Sequence, residues 1–115
     1  MKATVYFLKV DADTVNAKGW GCPEGQRYLA AKSGDISQGD YEVAARLDGD
    51  NLNGKQAEHV WMMLQNMDTP WTDRAGKYFI VETDFPRSMD IGDYIEWEDG
   101  TKSVVDIIGF KEYKG

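Results

Sequence analysis

Hydrophobic and polar positions change period several times along the chain, and each change marks an element. Residues 3–10 (Ala-Thr-Val-Tyr-Phe-Leu-Lys-Val) are largely β-branched or aromatic on both alternating faces, the pattern of a central strand covered on each side. Asp11 to Gly25 carries Asp, Asn, three glycines and Pro23, which predicts a loop pinned by Trp20 and Cys22. Gln26–Ala31 reads as a second strand, followed by a turn-rich stretch from Ser33 to Asp40. Residues 41–47 alternate, with Tyr41, Val43, Ala45 and Leu47 on one face and Glu42, Ala44 and Arg46 on the other, which predicts a half-buried strand.

The period then lengthens. Ala57, Val60, Trp61, Leu64 and Met67 follow helical spacing, so a principal helix is expected over about 53–67, capped by Asn53 and closed before Thr69-Pro70. A loop from Trp71 to Gly76 and a strand at 77–82 follow. Tyr94–Glu98 and Thr101–Phe110 flank Asp99-Gly100, the dipeptide of a two-residue hairpin turn. That register sets Ile95 against Val104, Trp97 against Lys102 and Tyr94 against Val105. Strands, one helix and further strands, without repeated strand-helix alternation, predict an α+β fold: a mainly antiparallel sheet, one helix packed on it and a C-terminal β-hairpin.

The 115 residues fit one domain, 1–115, and 42% hydrophobic with 29% charged residues is the balance of a chain that folds alone. No apolar run approaches the roughly 20 residues of a membrane span, and the N-terminal residues lack the features of a signal peptide. The single cysteine and five methionines suit a reducing, cytoplasmic compartment. A net charge of -7 opposes attraction to nucleic-acid backbones and anionic membranes.

Candidate chemistry is sparse. Asp48–Gly54 has the oxygens of a calcium loop but the wrong register, with Leu52 at the third ligand position and His59 at the twelfth. Asp11-Ala12-Asp13 lacks further partners for a cation, and one histidine with one cysteine falls short of a zinc set. His59 beside Glu58 is a surface or boundary histidine, and Glu96 and Glu98 share a solvated strand face. Gly19–Gly25 is glycine-rich but has Pro23 and no Lys-Ser/Thr pair, so it makes no phosphate cradle. Neither catalytic residues nor metal or cofactor ligands are assigned. What stands out is aromatic, methionine and arginine side chains near turns. Trp61, Leu64 and Met67 fill the buried stripe of the helix; Met62 or Met63 then lies off it, either covered by the N-terminal segment or exposed as interface residues do.

Read together, Val43-Ala44-Ala45-Arg46-Leu47, His59-Val60-Trp61, Gln65–Thr72, Pro86-Arg87-Ser88-Met89-Asp90-Ile91-Gly92-Asp93 and Gly109-Phe110 resemble a pattern in small uncharacterised proteins of phages, plasmids and other mobile elements. The resemblance covers residues 41–112 and leaves 1–40 as the part peculiar to this chain. In that family an Arg-Ser-Met/Thr-Ser-Val-Gly-Asp segment introduces the terminal hairpin; here Asp90-Ile91 replaces Ser-Val. The resemblance implies a setting and not a reaction. By residue chemistry, Ser88 or Asp90 caps a tight turn, Gly92 takes a positive φ, Asp93 binds turn amides, and Arg87 pairs with Asp68 or Asp93.

The leading expectation is a non-enzymatic accessory protein that binds a host or phage protein, with Met62, Met63, Trp71, Arg87 and Asp93 as the candidate interaction surface. An acidic mimic of DNA and a small-molecule or enzymatic module at the Trp71, Arg87 and Asp93 corner are the alternatives. Pairing of strand edges into a homodimer is left open by the sequence.

Overall fold

The computed structural model describes residues 2–47, 55–75, 79–84 and 87–113. Its strands are β1 (Ala3–Lys9), β2 (Asp40–Leu47), β3 (Phe79–Val81), β4 (Tyr94–Trp97), β5 (Lys102–Asp106) and β6 (Gly109–Tyr113). They form one antiparallel sheet in the order β3-β2-β1-β4-β5-β6, with β1 inside it as its sequence predicts. The helices are α1 (Ala12–Lys18), α2 (Pro23–Lys32), α3 (Ala57–Met63) and α4 (Trp71–Ala75), with a 3-10 turn at Ile36–Gln38. The fold is α+β, as expected, but four helices rather than one accompany the sheet among the described residues.

Alternation along the strands sorts the side chains. Val5 and Phe7 of β1, Ala45 and Leu47 of β2, and Ile95 and Trp97 of β4 face one side, where Val60 of α3, Leu64 at the C-cap of α3, Trp71 of α4 and Met89 complete the core. Phe7 meets Trp71 edge-on at 6.2 Å between ring centres. The other side carries Leu8 and a tyrosine cluster. Tyr6 stacks on Tyr94 at 4.7 Å, and Tyr41 meets Tyr94 edge-on at 4.8 Å.

Several expectations fail for identifiable reasons. The Asp11–Gly25 loop and the 26–31 strand are instead α1 and α2. Asp11 caps α1 by accepting from the Thr14 N–H at 3.0 Å, Gly19 closes it at φ +83°, and Pro23 begins α2 at a position where no N–H is needed. Residues 41–47 do not keep one face. Val5 pairs with Ala45 and Tyr6 with Val43, so Ala44 is an extra residue. This bulge turns Tyr41 and Val43 to the tyrosine side while Ala45 and Leu47 stay in the core.

The principal helix is shorter than 53–67. It runs from 57 to 63; the proposed Asn53 cap lies outside the described residues, as does the Asp48–Gly54 stretch. Past Leu64 the side chains bond elsewhere: Gln65 Nε2 donates to the Met89 carbonyl at 2.9 Å, and Asn66 Oδ1 accepts from the Trp71 N–H at 2.9 Å. Met67, expected on the buried stripe, is exposed. The Trp71–Gly76 loop contains α4, and the strand expected at 77–82 is β3.

The first C-terminal hairpin is offset by one residue from its predicted register. Tyr94 pairs with Val104, Ile95 with Ser103 and Glu96 with Lys102. Trp97 N–H donates to the Thr101 carbonyl at 2.9 Å, leaving Glu98-Asp99-Gly100 as a three-residue loop with Gly100 at φ +88°. Asp99 Oδ1 accepts from both the N–H and the hydroxyl of Thr101, which fixes the longer loop. The second run is two strands: β5 and β6 turn at Ile107-Ile108, with Asp106 opposite Gly109.

Candidate functional site

The segment from Arg87 to Asp93 joins both sides of the molecule. β4 pairs with β1 only as far as Tyr6, so the peptide groups of Leu8, two residues on along the same edge, meet no strand there. A side-chain pair takes its place. Asp93 Oδ1 accepts from the Leu8 N–H at 2.7 Å, and Arg87 Nη2 donates to the Leu8 carbonyl at 3.0 Å. Arg87 grips the carboxylate with both nitrogens, Nη1 to Oδ2 at 2.6 Å and Nη2 to Oδ1 at 2.8 Å, and Asp90 N–H adds a bond to Oδ2 at 2.7 Å.

Asp93 is 0% exposed, so those donors replace its water. Burial pushes its carboxyl up from the ordinary value, against the pull of the Arg87 guanidinium and the backbone amides. Burial also works to lower Arg87, but its hydrogen bonds to Asp93 and the nearby negative charge outweigh that and raise it. The guanidinium further lies 4.4 Å from the Phe7 ring centre. Of the two partners the sequence left open for Arg87, Asp93 is the one it binds.

Trp71 is wholly buried, and its indole Nε1 donates to the Arg87 carbonyl at 2.8 Å. Trp71 and Asp93 therefore do not belong to an interaction surface; they hold Arg87 and its loop in position. Gly92 sits in the same knot at φ +91°, where a Cβ would come 3.0 Å from Lys32 Cα and 3.1 Å from Leu8 Cδ2. Asp90 Oδ1 accepts from the Ile91 N–H at 2.7 Å within the turn, whereas Ser88, instead of capping it, accepts from the distant Asn66 N–H at 2.8 Å and ties the loop to the exit of α3. Met63 is half-buried against the core, whereas Met62 is 54% exposed.

Beside this knot, α3 and the β5–β6 hairpin diverge and leave a groove of about 770 Å³. Trp61, Met62 and Glu58 of α3 form one wall; Met89, Val105 and Phe110 are apolar contributors from the loop and hairpin; Arg87 and Asp90 stand at its margin. A shallower depression continues along the start of α3 to Ile108. The hairpin tip is the most exposed apolar feature described, with Ile107 82% and Ile108 94% accessible. Of the candidate surface residues, the structure thus brings Met62 and Arg87 to one groove.

Ile107 and Ile108 do not stand out in the sequence, because Thr101–Phe110 has the pattern of one continuous strand. Gly109, at φ +93°, was the signal that a turn interrupts it. Among the described residues no group of histidine, cysteine or acidic side chains is arranged to hold a metal ion, and no helix is long and apolar enough to cross a membrane. Compared with known proteins, the chain matches no protein family, no curated protein and no solved structure.

Proposed function

We propose that this chain is a non-enzymatic accessory protein of a phage or other mobile element, working in the cytoplasm of its host by binding a host or phage protein. One observation carries the binding reading: an apolar groove walled by Trp61 and Met62 lies beside a hairpin tip whose two isoleucines are almost fully exposed. Isolated exposed apolar residues are ordinary, but a groove and a tip in one neighbourhood are what interfaces favour. The Arg87–Asp93 knot supports this reading by fixing one margin of the groove. The mobile-element setting rests on the resemblance of residues 41–112.

The groove volume also falls within the range of small-molecule sites, which supports a ligand-binding module as the second reading. The acidic-mimic reading has less support. Lys32, Arg46 and Lys102 lie within 4 Å of Asp90, Glu82 and Glu96 respectively, so positive charge is interleaved with negative. The test is affinity capture of the tagged chain from lysate of its native host, beside Met62→Glu and Ile108→Glu variants. A discrete protein captured by the parent and lost in both variants is expected; a protein retained equally by all three contradicts the groove.

A further inference from the structure

Charge around the groove selects among its occupants. Two acids, Glu58 and Asp90, line it, and the cation at its margin, Arg87, is already held by both oxygens of the buried Asp93. Lys32 approaches Asp90 only at 3.8 Å, its Nζ also lies 3.4 Å from the Tyr28 hydroxyl, and the Asp90 side chain is 62% exposed, so the pair contributes little. Glu58 has no ion pair among the described residues. The groove therefore has an apolar floor and a net negative margin on a chain of charge -7.

A second copy of the chain fits this poorly. Its most apolar projection, the Ile107-Ile108 tip, is preceded by Asp106, so insertion would bring acid towards acid, and each copy carries the same excess charge. We infer that the groove takes a peptide segment of a partner protein that combines large apolar anchors with flanking lysine or arginine. This rests on the docking reading above and adds the chemistry of the occupant. The anchors would cover Met62, Trp61 and Phe110, while the cations meet Glu58 and Asp90; the same charges would speed encounter and exclude acidic segments.

The test uses two synthetic peptides with the same leucine and phenylalanine anchors, one flanked by lysines and its twin by glutamates. Each is titrated into the isotopically labelled full chain, with the Trp61 indole N–H, the Met62 methyl and the Phe110 amide as reporters. The lysine peptide should move all three and bind about tenfold more tightly than its twin at low salt, the margin shrinking as salt is added. A Glu58→Lys/Asp90→Lys variant should lose most of that preference. An Asp13→Lys/Asp40→Lys variant, with the same change in net charge away from the groove, should keep it.

Equal affinity for the two peptides, no movement of the reporters, or equal loss in both charge variants would overturn the inference. Thermal melting of the variants separates a lost preference from a lost fold. A captured protein that depends on Met62, together with indifferent peptides, would leave the docking reading standing and remove this one. Selective peptides would support the occupant chemistry inferred here whether or not the lysate yields a captured protein.

Discussion

Asp93→Asn tests the knot that fixes one margin of the groove. The carboxylate has four donors between 2.6 and 2.8 Å: two from Arg87, one from Leu8 and one from Asp90. An amide of the same shape offers one accepting oxygen and turns its NH2 towards donors, so at least two bonds fail while the guanidinium loses its counter-charge. Removing one partner of a buried pair costs about 3–5 kcal/mol. Arg87 is 42% exposed and recovers water, which places this substitution near the lower bound, about 3 kcal/mol.

Arg87→Met is the harsher change, because it strands a carboxylate that is 0% exposed; about 4–5 kcal/mol is expected at neutral pH. That loss should shrink under mildly acidic conditions, since an unpaired buried carboxyl takes up a proton more readily. Urea unfolding followed by tryptophan fluorescence reads both. With a slope of about 1.5 kcal/mol/M, Asp93→Asn should lower the midpoint by about 2 M. A loss below about 1 kcal/mol, or Asp93→Asn costing more than Arg87→Met, would show that the pair does not hold the loop as described.

Gly92→Ala should destabilise by at least about 2 kcal/mol, from backbone strain plus contact with Lys32 and Leu8, whereas Gly100→Ala, with open space around its Cβ, should cost only about 1 kcal/mol; chemical denaturation of the pair separates conformation from crowding. Leu64→Ala should cost about 2–5 kcal/mol and Met62→Ala less than about 0.5 kcal/mol, because only the first empties a buried site. Burial pushes the Tyr94 hydroxyl up to about 12 and raises that of Tyr41, which donates to the Gly92 carbonyl. Unfolded tyrosine ionises near about pH 10 while the folded residues stay protonated, so their contribution is complete below about pH 10 and lost as pH rises towards 12. Ultraviolet titration of Tyr94→Phe against the parent checks this; removal of a transition near pH 10 instead would contradict it.

The sequence revealed strands where alternation was long and misled where one residue altered phase. β1 and β2 were visible as runs, but the bulge at Ala44 is invisible to strict alternation, since Ala44 and Ala45 are both small and both buried. The first hairpin was found through Asp99-Gly100, yet Asp99 bonds to Thr101 and lengthens the loop by one residue, which changes every partner. Asp11, Gly19 and Pro23 carried loop chemistry in the sequence and proved to be helix punctuation.

The site divided along similar lines. Arg87 and Asp93 stood out as charges flanking a turn, and their mutual pairing was one of the two options their spacing allowed. Their shared hold on Leu8 depends on where β4 stops, which no local pattern encodes. Trp71 looked like a recognition residue by type alone; burial between α3 and the sheet makes it core. The groove needed three distant segments to meet, and its exposed tip was hidden by reading two strands as one.

The most direct measurement of the docking claim places a photo-reactive amino acid at Met62, inside the groove, and at Thr4, on the opposite face of the sheet, and irradiates each chain in lysate of its native host. One discrete protein adduct is expected from the Met62 position and none from Thr4. The same adduct from both positions, or one from Thr4 alone, would contradict it.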